Sequence, residues 1–411
     1  MSIHRNNETP IMSFIASRLG DIAPPETMEM AARAAALRLK GLDVISLSQG
    51  EPDFDTPEHI QQAALRAMRD GKTRYTEAAG VAPLRHAVAA KMHADHGLQY
   101  GPEDVSITAG AKQAIFNAFF ATLNPGDEVV VPAPCWVSYP EIVKLAGGTP
   151  IVVECPREAG FKITAAQLEA SITPRTKWLM LNSPSNPTGA VYSGAELAAL
   201  GEVLRRHPQV WVLTDDIYEK LVYCSEPFHN ILQVLPELQP RTLVINGVSK
   251  IYCMTGWRIG YAVGPRELIK AMNLVQGQST NNANAIAQFA AVEALIGDQA
   301  CVEFFRAAFE ERRNFIVKAL RAIPGLEVDL PDGAFYAYVS CHALIGKRTP
   351  EGGLISTDRD LVRYLLDEAQ VATVSGTGFL HSSYFRVSYA VGIPKLDEAA
   401  QRIARAVQAL R

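Results

Sequence analysis

Lys250 and Arg258 are the residues of this chain best placed to do chemistry. Lys250 follows the apolar run Thr242-Leu243-Val244-Ile245, and Arg258 lies in the glycine-bearing stretch Met254-Thr255-Gly256-Trp257-Arg258-Ile259-Gly260-Tyr261. A lysine at a strand end is partly desolvated, which lowers its pKa and frees its amine to attack an aldehyde. An arginine nearby can hold a phosphate through its planar fork of donors. An amine for an aldehyde and a fork for a phosphate together describe a pyridoxal phosphate site. A lone Lys-Arg pair is more often a surface pair beside a buried turn, so the case rests on its neighbours.

Upstream, Val210-Trp211-Val212-Leu213-Thr214-Asp215-Asp216-Ile217-Tyr218 is an apolar run that ends in two carboxylates and a tyrosine. Such a run reads as a parallel strand buried on both faces, and ligands of such sheets sit beyond the carboxyl ends of the strands. A buried Asp215 there can pair with a protonated pyridine nitrogen, and Tyr218 is placed to bond the 3-oxygen of the same ring. The run Thr176-Lys177-Trp178-Leu179-Met180-Leu181 leads into Asn182-Ser183-Pro184-Ser185-Asn186-Pro187-Thr188-Gly189. Its prolines and glycine predict a rigid loop, with Asn186 extended before Pro187 and its amide free to donate. Thr108-Ala109-Gly110-Ala111-Lys112 precedes an apolar helix expected over 113–123. Small residues at a helix start expose backbone N–H groups, which makes Gly110 and Ala111 a phosphate seat.

The order of these motifs resembles the class I/II aminotransferases of fold type I. Asn186-Pro187-Thr188-Gly189, Asp215 with Tyr218, Ser249-Lys250 and Met254-Thr255-Gly256-Trp257-Arg258 carry the resemblance. So do Gly50-Glu51-Pro52-Asp53-Phe54-Asp55-Thr56-Pro57, Asn124-Pro125-Gly126-Asp127-Glu128, Pro132 to Pro140 and Phe385-Arg386-Val387-Ser388-Tyr389. It runs from about Ser17 to the C-terminus and is strongest to the prokaryotic subgroup of aspartate aminotransferases, some of which also use prephenate. The resemblance implies a three-layer α/β fold with a mostly parallel seven-stranded sheet in a large domain, residues 58–322. Residues 1–57 and 323–411 would form a smaller α/β domain. It implies pyridoxal 5'-phosphate as cofactor, amino acid and 2-oxo acid substrates, and ping-pong transfer with Lys250 as general base and acid. Trp136 would stack on the ring, Ser249 would add a hydroxyl to the phosphate, and Arg386 would bind the substrate α-carboxylate with Gly50 closing over it. Lys112 matches a lysine that meets the distal carboxylate of aspartate or glutamate. Tyr75 matches a tyrosine that reaches the phosphate from a neighbouring subunit, which implies a homodimer with shared active sites.

Several residues depart from the pattern and bear on the substrate. Cys135 replaces the usual tyrosine before the tryptophan, Ala23 stands where prephenate-active relatives carry a basic residue, and Gly376 to His381 differs from the usual loop. Cys135 and the altered loop predict an enlarged or reshaped pocket, which makes an aromatic or other neutral donor the main alternative to aspartate; Ala23, lacking the basic group, argues against prephenate, the other alternative the resemblance offers. Glu26 and Glu29 add acid beside the expected entrance.

The elements needed to position this set are legible as alternation. Helices are expected over 26–40, from Thr56-Pro57-Glu58 with Thr56 as N-cap, and over 300–322; Thr164/Gln167 and Ser193/Glu196 read as capping boxes. Strands are expected at 128–131, 150–154, 178–181, 210–214, 243–246 and 259–263, with 334–338 and 384–388 near the end. Alternation of this kind means a mostly parallel sheet covered by helices.

Composition agrees. The 411 residues are 48% hydrophobic and 20% charged with a net charge of −4, ordinary for a soluble globular protein and unlike a nucleic-acid or membrane-surface binder. The start lacks the apolar segment of a signal peptide, and six cysteines are scattered without a CxxC, which predicts reduced thiols in a cytoplasm. Gly71-Lys72-Thr73 lacks the opening glycine of a phosphate-binding loop, because Arg66 stands there. No Gly-x-Gly-x-x-Gly follows a strand. His86, His93 and His96 read as a solvated helix face rather than metal ligands, and Phe116, Phe119 and Phe120 as core. A lyase or cyclopropane-forming synthase on the same fold stays open. A ligand-sensing module of a transcription regulator would need a DNA-binding domain, for which there is no room before Arg18.

Overall fold

A computed structural model describes residues 14–24 and 26–411 of the chain; residues 1–13, the start of the expected smaller domain, lie outside the described residues. The large sheet has seven strands. They are β1 (Val105–Thr108), β2 (Glu128–Ala133), β3 (Thr149–Glu154), β4 (Thr176–Asn182), β5 (Trp211–Asp215), β6 (Thr242–Gly247) and β7 (Gly260–Val263), in the order β1-β7-β6-β5-β4-β2-β3. The pairs β2/β3, β2/β4, β4/β5 and β5/β6 are parallel, and β7 alone runs against both of its neighbours. Every residue of β6 is buried, and β5 exposes only part of Trp211, because helices cover both faces.

A second sheet of four strands is antiparallel: β8 (Glu327–Val328), β9 (Tyr336–Ser340), β10 (Val374–Ser375) and β11 (Tyr384–Ser388), in the order β10-β11-β9-β8. Ile45–Ser46 pairs in parallel with Val371–Ala372, so the N-terminal part returns to the C-terminal part. The helices that matter to the site are α1 (Glu26–Leu39), α2 (Glu58–Arg69), α3 (Ala82–His96), α4 (Ala111–Thr122), α5 (Ser138–Leu145) and α6 (Ala300–Arg321).

Both expected capping boxes form, at Thr164/Gln167 and Ser193/Glu196. Thr56 does not cap α2, whose N-cap is Pro57 with no side-chain bond. The Thr56 hydroxyl instead donates to Cys253 O at 2.7 Å and accepts from Trp257 Nε1 at 3.0 Å, tying the residue 50–56 segment to the loop after Lys250. Strand β1 was not expected, since four residues of mixed polarity carry little periodic signal. Of the phenylalanines expected in the core, Phe119 is fully buried, but Phe120 is 47% exposed and stacks on the half-buried Phe116. All six cysteines are free thiols.

Candidate active site

The ends of six strands meet along one edge of the large sheet. Asn182 ends β4 and is the register partner of Asp215, which ends β5. Ala133 ends β2 and leads to Trp136, Gly247 ends β6 and leads to Ser249 and Lys250, and Thr108 ends β1 and leads to Gly110 and Ala111. Strand β7 runs the other way, so Arg258, two residues before its start, arrives at the same edge. The cavity there has a volume of about 500 Å³. Its walls include Gly50, Ala111, Lys112, Trp136, Asn186, Asp215, Tyr218, Ser249, Lys250, Arg258 and Arg386.

Lys250 Nζ donates to Gly50 O at 2.8 Å. Burial, and then the positive charges of Arg386 and Arg258, bring its pKa down to about 8. Asp215 is 4% exposed. Its Oδ2 accepts from the Tyr139 hydroxyl at 2.8 Å and its Oδ1 from the Ile217 N–H at 3.3 Å. Burial raises Asp215 to about 6, against the opposing pull of these donors and of Lys250. A buried carboxylate at a cavity wall with only neutral donors attached is completed by a cationic ligand atom.

Asn182 Nδ2 donates to Asp215 O at 2.8 Å, and its Oδ1 accepts from the Asn186 N–H at 2.9 Å, which sets the loop of Asn186 against the end of β5. Arg386 lies on β11 opposite Tyr338 and is 2% exposed. It donates to Asn186 Oδ1 at 2.7 Å and to Ser48 O at 2.6 Å, and its guanidinium lies over the rings of Tyr336 and Phe379. Its Nε is buried with no acceptor among the described residues. A buried guanidinium on a cavity wall, with no carboxylate among its partners, marks a place for an anion. The Asn186 Oδ1 is committed to Arg386, so Nδ2 is the atom left to donate to a ligand. Tyr218 Oη lies 2.7 Å from Tyr336 Oη. Burial, and then Tyr336, hold its pKa well above the ordinary value, so it is an O–H donor at neutral pH.

At the other end of the cavity, Arg258 is fixed by bonds to Thr255 O at 3.0 Å and Ala109 O at 3.2 Å. It lies against the N-terminus of α4. Gly110 has φ +87°, and a Cβ there would strike the Arg258 guanidinium; a Cβ at Gly260 would strike the backbone of Gly110 and Ala111. Only glycine at both places lets the arginine fork and the helix N–H groups face one anion. Lys112, in the first turn of α4, holds its Nζ 4.7 Å from the Trp136 ring centre. Burial, then the charge of Arg258, lowers its pKa. The set fits pyridoxal phosphate: Arg258 with Gly110, Ala111 and Ser249 for the phosphate, Asp215 for the ring nitrogen, Tyr218 and Asn186 for the 3-oxygen, Trp136 for the ring face and Lys250 for the aldehyde.

Some expected residues lie elsewhere. Tyr75, expected to act on a neighbouring subunit's site, is 90% exposed and does not line the cavity of its own chain. Cys135 is buried behind the wall, with its N–H bonded to Phe379 O at 3.1 Å, so its change of side chain does not open the cavity as expected. The loop Gly376 to His381 comes near the cavity only through Phe379, whose ring backs Arg386. The Ala23 N–H bonds Glu141 at 3.0 Å, and Ala23 is not in the wall. Glu26 is not a free entrance acid: it pairs with Arg359 and accepts from the Ser375 hydroxyl, which fastens the start of α1 so that Thr27, Met28 and Ala31 cover the cavity. His96 is not on a solvated face. Its ring is buried against Glu219, which the following loop brings down on α3.

Four site residues had not been anticipated: Tyr139, Asn182, Tyr336 and Met28. Tyr139 follows Trp136 at helical spacing, a signal that could have found it. Asn182 ends the apolar run of β4 as Asp215 ends that of β5, a signal of the same kind, whereas Tyr336 and Met28 reach the cavity through tertiary contacts that leave no local pattern.

A family model described as "Aminotransferase class I and II" matches residues 42–403. The chain is 52% identical over 394 residues to a "Probable aspartate/prephenate aminotransferase" of Rhizobium leguminosarum bv. phaseoli, covering 96% of this chain and 98% of the relative. It is 49% identical over 395 residues to an "Aspartate aminotransferase" of Rhizobium meliloti (strain 1021), covering 96% of each. Among solved structures it matches the Rhizobium meliloti aspartate aminotransferase with a TM-score of 0.94 at 49% identity, over 97% of this chain and 99% of that one. It also matches Thermus thermophilus aspartate aminotransferase with maleate, at a TM-score of 0.89 and 42% identity over 95% of this chain and 99% of that one.

Proposed function

The chain belongs to the class I and II aminotransferases and is a pyridoxal phosphate-dependent transaminase of the fold type I, α/β architecture, and from that premise we propose that it takes the amino group from aspartate and passes it to 2-oxoglutarate. The observation that carries the reading is the placing of two anion-binding side chains, Arg386 and Lys112, on the walls of one cavity with the Lys250 amine. A four- or five-carbon dicarboxylic amino acid offers one carboxylate to each. Two relatives are named for aspartate, and the Thermus neighbour was solved with maleate, itself a four-carbon dicarboxylate. Prephenate is the second reading, supported by the names of relatives at 52% and 51% identity. It too is a 2-oxo acid with a second carboxylate, so the same pair of cations serves it.

When bound, the cofactor supplies an aldehyde that captures amines and a ring that takes up the electron pair left when the substrate α-proton departs. The residues do the rest. Arg386 docks the α-carboxylate through its guanidinium fork. Asp215, oriented by Tyr139, opposes a positive charge at the ring edge of the cavity. Tyr218 and Asn186 donate from the opposite side. Lys250 Nζ, already lowered to about 8, accepts the substrate α-proton and returns it, as base and then acid. Thr27, Met28 and Ala31 of α1 keep water out from above.

Residues 58–322 would be the cofactor-holding domain, with 1–57 and 323–411 the smaller one. A homodimer with shared sites is part of the proposal. It is supported by the exposure of Tyr75, Phe120 and Leu274, at 90%, 47% and 68%, the last two on helices that pack together. No single helix among the described residues is long and apolar enough to cross a membrane, although the bent pair Ala285–Ile296 and Ala300–Arg321 passes that test together. A cytoplasmic location is proposed from the scattered free cysteines.

A half-reaction screen tests the substrate. The holoenzyme is mixed with each amino acid, and conversion of the cofactor to its amino form is followed by absorbance. Aspartate and glutamate should react best, and Lys112→Ala should weaken them far more than alanine or phenylalanine. An aspartate rate far below that of a neutral donor would reject the assignment.

A further inference from the structure

The loop after β5 presents Asp215 and Tyr218 to the cavity and turns Asp216 and Glu219 away from it. Both of the latter acids are buried, at 1% and 7% exposure. Asp216 accepts from Thr214 Oγ1 and Asn230 Nδ2, each at 2.5 Å. Glu219 receives the Lys91 ammonium on one oxygen and His96 Nε2, at 2.8 Å, on the other. Lys91 and His96 both stand on α3. Lys91 Nζ is also 2.7 Å from Asp95 Oδ2, and Lys220 Nζ is 2.9 Å from the same atom. Helix α3 therefore grips the loop at two successive residues, Glu219 and Lys220, immediately after Tyr218.

A buried ion pair gains little net stability, because desolvation consumes the Coulomb attraction. Here burial opposes both charges, and the mutual attraction overcomes it: Glu219 is held below its ordinary value and Lys91 above. What such a pair adds over an apolar contact is direction, since a carboxylate with both oxygens committed fixes the rotation and register of its backbone.

We propose that Lys91, His96 and Glu219 form a positioning clamp that sets Tyr218 and Asp215 in register with the cofactor ring before the cofactor arrives. This rests on the transaminase reading of the cavity. The clamp touches neither cofactor nor substrate, so its residues are positioning rather than catalytic.

The test uses Glu219→Gln, His96→Asn and the double variant Lys91→Met with Glu219→Gln. The double variant leaves no unpaired buried charge and so keeps the experiment open if Glu219→Gln fails to fold. Three quantities are read: the thermal midpoint of the cofactor-free protein, the rate of cofactor release, and the pH midpoint of the bound cofactor's absorbance. That midpoint belongs to the nitrogen that would join Lys250 to the cofactor, at a position faced by Asp215, Glu51, Arg258 and Arg386. The double variant should keep a near-native thermal midpoint, yet shift the pH midpoint by about half a unit or more and release cofactor ~10-fold faster, as losses of orienting groups behind a ligand do elsewhere. Unchanged pH midpoint and release rate, whatever happens to the thermal midpoint, would overturn the clamp alone. A wild-type protein that takes up no pyridoxal phosphate would overturn the clamp and the transaminase reading together.

Discussion

Replacing Asp215 by asparagine should stabilise the cofactor-free protein while disabling the enzyme. The carboxylate is buried and raised from its ordinary 3.8 to about 6. A carboxyl group raised on folding binds its proton more tightly in the native state, so the native state loses ground as pH climbs through the interval and bears the full cost above about 6. At neutral pH that cost is on the order of 3 kcal/mol. Asparagine is isosteric and uncharged, but it can accept from only one of Tyr139 and Ile217, which returns about 1 kcal/mol or more. The net gain is roughly 1–2 kcal/mol, a rise in thermal midpoint of about one to two degrees at pH 7 that disappears below about pH 4. Catalysis moves the other way. Losing a preorganised charge beside the reacting system costs ~100- to 1000-fold in rate. Calorimetry of the cofactor-free protein at pH 4 and 7, beside single-turnover rates with aspartate, measures both. A variant less stable at pH 7 would show that Asp215 is an ordinary structural carboxylate, and a rate loss under about tenfold would assign the ring nitrogen to another group.

The Lys250 amine, lowered to about 8 chiefly by burial, should take up pyridoxal phosphate with a rate that rises through pH 8 and levels off well below the range of an ordinary lysine. Borohydride reduction followed by peptide mapping should label Lys250, and a label on another lysine, or a profile still climbing at pH 10, would contradict the assignment. Tyr75→Phe should speed cofactor loss without changing the thermal midpoint of the cofactor-free chain, because the side chain is 90% exposed within its own subunit. Sedimentation of an active, cofactor-replete monomer would remove the shared-site dimer.

Much of the cavity edge could be read from the sequence, and the reason is physical. Parallel strands buried on both faces are continuous apolar runs, so the polar residue that ends each run, such as Asp215, or follows it closely, such as Lys250, declares itself. The strand β7 was legible as an apolar run after Arg258, but its reversed direction was not, because it is set by pairing with β1 and β6. What escaped was set by contacts distant in the chain. Tyr336 meets Tyr218, Met28 lines the same cavity as Lys250, and Glu26 finds Arg359 and Ser375, none with a local signature. Cys135 misled because its departure from the expected residue type lies beside Trp136 in sequence but behind the wall in space. His96 misled because its polar neighbours, Asp95 and His93, suggest a wet face until the loop bearing Glu219 is folded onto it.

The bond from Lys250 to Gly50, and the arrival of Arg386 from the last strand, give the site a birth order. All seven strands of the large sheet lie between Val105 and Val263. A chain emerging from the ribosome can therefore assemble the sheet edge, with Asp215, Lys250 and Arg258, while α6 and everything after it are still being made. Gly50 precedes the whole sheet in the chain, and the Arg386 guanidinium follows all of it. The residues that face the phosphate end therefore precede Arg386 in the chain, and because the charge of Arg386 is also one of the causes that lower the Lys250 amine, the lysine reaches its activated state only when the β9–β11 pairing carries Arg386 into place.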